Sequence, residues 1–274
     1  MTHAVNLPPP ALLLVGCGNM GGALWDGWRE CDAIAPSVVL DRHRASVPTP
    51  HHLARTPQDI PPDFRPDFVV LAVKPAKAED AIALISSCLD GTTLLSVMAG
   101  RSCASLREAA ARHGATVSVV RAMPNTPASI GQGVTGIFAD HDVSPTRREQ
   151  ALSLLRAVGG VAPVTHERQL DLVTAISGSG PAYVFLLAEL LEKAGIDRGL
   201  PPETARLLAR GTVSGAGALL AASSAESHVL RENVTSPNGT TARALSCLMA
   251  PNAWPASIDE AITAAAERAA ELAR

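Results

Sequence analysis

An α/β domain followed by an all-helical one is the fold the sequence predicts, and three observations lead there. Apolar, β-branched-rich runs alternate with helical or loop segments through the first half of the chain, which is the texture of a mostly parallel sheet. The first run, Leu12-Leu-Leu-Val15, passes straight into the turn Gly16-Cys-Gly18-Asn-Met-Gly21 and then into a helical pattern. From about Leu170 strands give way to long alanine- and leucine-rich segments, broken at Gly178–Pro181, Gly199–Pro202 and Ser236–Gly239. A chain of 274 residues exceeds the usual single-domain size, so we divide it into residues 1–167 and 168–274.

The opening strand, turn and helix read as a Rossmann-type dinucleotide-binding domain. Gly16 permits the tight turn, Gly18 lets backbone approach a pyrophosphate, and Gly21 lets helix and strand pack closely with the helix N-terminus toward the phosphates. Val15, Gly16, Cys17, Gly18, Asn19, Met20 and Gly21 are therefore the expected cofactor contacts, against the plainer reading of a glycine-rich turn without a ligand. Cys17 lies where a helix dipole lowers a thiol pKa, although a small side chain in a tight turn explains it equally.

A second strand over Val38–Leu40 ends at Asp41, 20 residues after Gly21, where a carboxylate accepts hydrogen bonds from the ribose hydroxyls of NAD. Arg42, His43 and Arg44 follow at once and suit the 2′-phosphate of NADP instead. A solvated turn that reads neither is the third alternative. Pro48–Pro66 is proline-rich and is expected as a loop with a short helix. Further strands are expected at Phe68–Val73, Thr93–Val97, Val117–Val120 and Gly133–Ala139.

Open α/β sheets bind ligands outside the carboxyl ends of their strands, which places Lys74 and Pro75 at the crevice; an exposed lysine after a strand is the bland alternative. Met123-Pro-Asn-Thr-Pro127 fixes the backbone around Asn125 and Thr126, either to aim polar groups into the same crevice or only to make a rigid turn. Pro181 suits the first turn of a helix. The loop Thr235-Ser-Pro-Asn-Gly-Thr-Thr241 enters a helix near Thr241, and consecutive amides there suit a carboxylate as well as they suit a simple capped helix start. Ser257-Ile-Asp-Glu260 predicts a capping box that begins the last helix, which is expected to run to near Ala273.

Charge and cysteine usage exclude several classes. A net charge of -3 with scattered lysines and arginines gives no footprint for nucleic acid. No run of 18 apolar residues is present and Met1–Pro10 lacks a signal-peptide pattern, so a cytoplasmic chain with no membrane partner is expected. Five cysteines without a C-x-x-C pair or a histidine at ligand spacing argue against disulfides and metal. The small residues of Arg210–Ala222 let helices approach closely but supply too little bulk to close a core within one chain, so a homodimer at least is expected.

Four stretches together, Ala72–Pro75, Arg121–Pro127, Ser177–Tyr183 and Arg231–Thr241, resemble the pyrroline-5-carboxylate reductase family, and the likeness covers nearly the whole chain after Pro10. The resemblance implies hydride transfer from NADPH, with NADH as an alternative, to the imine carbon of 1-pyrroline-5-carboxylate, giving L-proline in the last step of proline synthesis. It implies that Ala72, Val73, Lys74 and Pro75 contact the nucleotide, that Val97, Met98 and Ala99 lie beside the nicotinamide, and that Asn233 lies near the cofactor. It places the substrate against Glu167 and the Ser236, Gly239, Thr240 and Thr241 loop, with the Thr240 and Thr241 amides on the carboxylate and the Thr241 hydroxyl on the ring nitrogen as the catalytic contact. The second domain then serves dimerisation, in intertwined dimers that often assemble into a decamer.

The chain departs from the family pattern at Asn238 for glycine, at Asp59 where asparagine often meets the adenosine end, at Met249 for an acidic residue, and across Ala222–His228. Asparagine tolerates a left-handed backbone, so the 236–241 loop survives its change. Two rivals compete with this reading. A hydroxy-acid dehydrogenase needs a catalytic lysine or histidine on the helix after the first domain, where Ala182–Leu191 has none before Lys193, and a non-enzymatic nucleotide-sensing module has no use for an anion loop at Ser236–Thr241.

Overall fold

The computed structural model describes residues 7–272. The first six residues, which belong to the segment lacking a signal pattern, and Ala273, the expected end of the last helix, lie outside them. By internal contacts the chain forms two units, one running to Gly178 and including the end of the last helix from Ala265, the other Ser179–Ala264.

The first unit is a sheet of eight strands, β1 (Leu12–Val15), β2 (Val38–Leu40), β3 (His52–Ala54), β4 (Phe68–Leu71), β5 (Thr93–Ser96), β6 (Ser118–Met123), β7 (Gly133–Ala139) and β8 (Gly159–Pro163), in the order β3-β2-β1-β4-β5-β6-β7-β8. Pairs from β3 to β6 are parallel, β6–β7 is antiparallel and β7–β8 is parallel again. Because successive strand side chains point to opposite faces, β1 serves two cores at once. Leu13 and Val15 join Ile82, Ile85, Leu106 and Ala110 of helices α2 (Ala78–Leu84) and α3 (Cys103–Ala111) and the turn that follows α2. Leu12 and Leu14 join Leu24, Trp25, Trp28, Leu154 and Leu155 of α1 (Asn19–Glu30) and α4 (Pro145–Arg156). Burial on both faces is why these strands read as continuous apolar runs rather than alternating ones.

Several local expectations change. Pro48–Pro66 contains the short helical turn Pro57–Asp59 but also β3, because His52–Ala54 pairs in parallel with β2 at the sheet edge. The strands expected to reach Val73 and Val97 end at Leu71 and Ser96, and the one expected at Val117–Val120 runs Ser118–Met123. β8 was not anticipated, since Gly159-Gly-Val-Ala-Pro163 carries glycine and proline where strand formers are expected; it is an edge strand, where such residues are tolerated.

The second part of the chain continues with α5 (Gln169–Val173), α6 (Gly180–Ile196), α7 (Pro202–Ala222), α8 (Ser227–Asn233), α9 (Thr240–Leu248) and α10 (Trp254–Leu272). The capping box expected at Ser257 is overturned: α10 has already begun at Trp254, and the Ser257 amide donates to the Ala253 carbonyl as part of a helix in progress. Pro181 sits in the first turn of α6 as expected. The helical stretch Gln169–Ile196 is long and apolar enough to cross a membrane by length and composition, although it holds no continuous apolar run of 18 residues. Within the second unit α6 packs on α7, where Gly195 leaves room for Ala205 and Leu200, while Phe185 and Leu207 remain 67% and 73% exposed.

Trp28 joins two helices chemically as well as by packing. Its indole Nε1 donates to the Leu154 carbonyl at 2.8 Å, one of the carbonyls that the end of α4 leaves without an intrahelical partner. We expect Trp28→Phe to lower unfolding stability by about 2–3 kcal/mol, from the orphaned carbonyl and the lost ring volume. Urea unfolding of the cofactor-free protein checks this, and an unchanged midpoint would remove Trp28 from that role.

Candidate active site

The glycine turn is shaped by what surrounds it. Gly16 has φ 87°, and a Cβ there would lie 2.9 Å from the Ala72 carbonyl oxygen. A Cβ on Gly21 would collide with the Gly16 carbonyl and stand 3.0 Å from the Ala72 methyl. Gly18, the residue preceding α1, is exposed and has nothing within 4 Å of an added Cβ, so this side of the turn is open. Two glycines thus draw β1, α1 and the end of β4 together, and the third leaves the helix N-terminus accessible to an anion. A dinucleotide pyrophosphate fits that cradle.

Asp41 is committed to the same turn. One carboxylate oxygen accepts the Cys17 amide at 2.7 Å and the other accepts the His43 and Arg44 amides at 2.7 and 2.8 Å. Burial alone would push its carboxyl up, but the three amides outweigh that and hold it below the ordinary carboxylate range. The guanidinium of Arg44 folds back over α1, donating to Asp26 at 2.6 Å and to Cys17 Sγ at 3.2 Å. Arg42 and His43 are exposed, and Arg55 braces their turn by donating to the Arg42 and Ala45 carbonyls at 2.8 and 3.2 Å. The Asp59 carboxylate accepts the Arg55 and Thr56 amides and the Thr56 hydroxyl, so it too holds backbone, just after β3. The idea that a helix dipole lowers the Cys17 thiol is overturned: burial pushes it up, and Arg44 only partly offsets this.

Beyond β4, Lys74 and Pro75 are exposed and Pro75–Lys77 forms a single tight turn. After β5, Val97 and Ala99 are half-buried, and Met98 is buried with its amide on the Ser96 hydroxyl at 3.3 Å. Glu167 meets this segment from elsewhere in the chain. Its Oε1 accepts the Cys103 amide at 2.7 Å, at the start of α3, and Arg121 Nη1 at 2.9 Å. Arg121 is paired in register with Ser96, so the two bonds bracket the Val97–Ser102 connection at both ends. Burial pushes the Cys103 thiol and the nearby Asp171 carboxyl up; at Asp171 the charge of Glu167 adds to burial while Arg121 opposes it. Asn125 is buried and structural: its amide nitrogen donates to the Ser177 carbonyl at 3.1 Å and its oxygen accepts the Val134 amide at 2.9 Å.

The second unit carries the other predicted group of residues. Gly239 is the residue preceding α9, its amide donates to the Ser236 carbonyl at 3.0 Å, and Asn238 has φ 59°, the left-handed conformation asparagine accommodates. Thr240 and Thr241 therefore open a helix, where first-turn amides lack intrahelical partners. Ser236 and Thr240 are exposed and Thr241 is half-buried. Asn233 ends α8 and is exposed.

Sequence reasoning did not find Asp26, which carries no mark beyond lying on α1. The partner of Arg121 was likewise missed, although an arginine inside an apolar strand signals a buried charge that requires one.

Fold and site define the class first: a Rossmann-type nucleotide-dependent oxidoreductase followed by a helical domain. Residues 167–272 match the family described as "Pyrroline-5-carboxylate reductase dimerisation", and residues 11–100 match "NADP oxidoreductase coenzyme F420-dependent". A pyrroline-5-carboxylate reductase of Pseudomonas aeruginosa is 39% identical, over 96% of this chain and 97% of that one. The solved pyrroline-5-carboxylate reductase of Coxiella burnetii superimposes with a TM-score of 0.86 at 33% identity, covering 97% of this chain and all of the other. The Plasmodium falciparum pyrroline carboxylate reductase with NADP bound gives 0.80 at 28% identity, covering 97% and 98%. This chain belongs to the pyrroline-5-carboxylate reductase family.

The commitment of Asp41 to three amides has a measurable consequence. Asp41→Asn removes the charge that holds the turn, so we expect the Michaelis constants for NADH and NADPH to rise together, each on the order of tenfold. An effect confined to NADH would assign Asp41 to ribose reading instead. Because its folded pKa is depressed, the support it gives is complete above the pKa of an unfolded aspartate, about 3.9, and is lost as acid brings the pH down through the folded value.

Proposed function

We propose that the chain reduces 1-pyrroline-5-carboxylate to L-proline, the last step of proline synthesis, with NADPH as cofactor and NADH as an alternative. The observation that carries this reading is a likeness at 39% identity that extends over nearly all of both chains. When bound, the reduced nicotinamide supplies the hydride that adds to the imine carbon, while the C=N electron pair goes to nitrogen.

The protein's part is positioning. Gly16, Gly18 and Gly21 with the first turn of α1 take the pyrophosphate, Arg42 and Arg44 supply the cations for a 2′-phosphate, and Ala72–Pro75 and Asn233 border the nucleotide. Val97, Met98 and Ala99 line the nicotinamide side, and Glu167 fixes that connection through Cys103 and Arg121 while bordering the substrate. Ser236 and Gly239 shape the loop whose Thr240 and Thr241 amides hold the substrate carboxylate, and the Thr241 hydroxyl orients the ring nitrogen. Holding two rings in attack geometry can supply about 7–11 kcal/mol of the barrier, and a protonated imine accepts hydride without a nucleophile from the protein. The rival reading as a hydroxy-acid dehydrogenase finds no lysine or histidine on α6 before Lys193, which stands near the end of that helix.

We further propose a cytoplasmic homodimer formed through the helical domain, with a decamer built from such dimers as the larger assembly. The exposed apolar side chains of α6 and α7 and the dimerisation match over residues 167–272 support it. The same contact gives the apolar Gln169–Ile196 stretch a protein partner in place of a membrane.

Loss of reduced-nicotinamide absorbance on adding pyrroline-5-carboxylate tests the activity, and no loss with either cofactor would overturn it. Thr241→Ala should lower turnover by about one to two powers of ten, the loss expected for one aligned hydrogen bond to a charged group, with cofactor affinity unchanged. Turnover equal to wild type would leave only the Thr241 amide in the mechanism. Light scattering at micromolar concentration should give at least twice the 28.3 kDa of one chain, and an active species of single-chain mass would refute the dimer.

A further inference from the structure

Arg44 stands beside the turn that meets the adenosine end of the cofactor, yet its guanidinium does not point outward from it. Its backbone amide donates to Asp41, while Nη2 donates to Asp26 at 2.6 Å, Nη1 to Cys17 Sγ at 3.2 Å and Nε to the Ser46 carbonyl at 3.4 Å. Nη1 also lies 3.7 Å from where a Cβ on Gly22 would stand, so the cation rests on the first turns of α1, against the glycine turn itself. Asp26 is nearly half exposed and holds Arg29 more loosely at 3.6 Å, which leaves Arg44 as its close partner. Among the groups facing this cation, Asp41 is already occupied by three amides, and Asp26 supplies the carboxylate that directly pairs with it.

We infer that Asp26 is a specificity-determining residue that sets the preference between the two cofactors by competing with the 2′-phosphate for Arg44. The inference rests on the dinucleotide reading of the glycine turn. A guanidinium engaged by a carboxylate at 2.6 Å is charge-compensated, so a phosphate gains from it only by drawing it off Asp26 or by sharing it. NADH carries no group at that position and leaves the pair intact. Asp26 thereby works against NADPH without touching NADH, and the chain holds both a cation suited to the phosphate and an internal rival for it.

Cofactor binding without substrate, read by quenching of protein fluorescence, tests this independently of the reduction. Asp26→Asn should tighten NADPH about 3–10-fold, less than the full strength of a charge-assisted pair because the site is partly solvated, and should leave NADH within about twofold. In an Arg44→Ala background the same substitution should no longer change the ratio of the two affinities. Equal shifts for both cofactors, or a changed ratio that persists without Arg44, would overturn the proposal. Asp26→Ser serves as the second variant, with thermal unfolding of each cofactor-free protein to show that it is folded. A wild-type protein that binds neither cofactor would overturn the dinucleotide reading itself, whereas one that binds both with an unresponsive ratio would overturn only the role of Asp26.

Discussion

The approach of α1 to the sheet at Gly16, Gly21 and Ala72 is the constraint on which the nucleotide half depends. A single added Cβ at Gly21 meets the Gly16 carbonyl, and one at Gly16 meets the Ala72 carbonyl, so β1, α1 and the end of β4 can sit at this distance only with glycine at both positions. The contact fixes where the N-terminus of α1 lies relative to the carboxyl edge of the sheet, and therefore where backbone amides face an anion. It also places Trp25 and Trp28 of α1 in the core shared with α4, where both indoles are fully buried. Packing on the far side of the helix and access on the near side follow from one close approach.

The carboxylates of Asp41, Asp59 and Glu167 all hold main chain in this half. Asp41 takes three amides of the glycine and β2 turns, Asp59 takes two amides and a hydroxyl beside β3, and Glu167 takes the first amide of α3 together with buried Arg121. Each stands at a loop that leaves the carboxyl edge of the sheet or borders it. Loops carry function and are the most mobile parts of a scaffold, so a loop that serves a site needs fixing from within. A carboxylate bound by amides fixes backbone without added bulk.

How much of this was legible in the sequence depended on whether the signal was local. Leu12–Val15 matches the expected strand, and the β4 and β5 runs are strands that end two residues and one residue earlier than expected, because burial on both faces leaves a continuous apolar run whose end composition does not mark. β3 was lost inside a proline-rich stretch and β8 inside Gly159–Pro163, since edge strands need little apolar surface and tolerate glycine and proline. The capping box at Ser257 failed because a helix already under way from Trp254 has no orphan amide for serine to satisfy. At the site, Asp41 was found by its distance from Gly21, but its partners were not, and the pair formed by Asp26 and Arg44 spans 18 residues with no pattern to announce it. Geometry of that kind is set by the tertiary approach of α1 and the β2 turn, and sequence spacing does not encode it.

The helical part obeys a different economy. α6 is strongly apolar, yet none of its side chains is buried, and within α7 only Ala205 and Ala209 are. Phe185, Leu186, Leu190, Leu207 and Leu219 are each at least half exposed. Side chains of this size cluster away from water at about 25 cal/mol per Å², and contiguous exposure of so many is uncommon on a chain that acts alone. A second copy that covers them would make the stability of these helices depend on concentration, since the folded form and the associated form become one state. In such a pair the small residues of Arg210–Ala222 would have a use that a monomer cannot give them, letting a neighbouring backbone come close enough for the long side chains on either side to be enclosed.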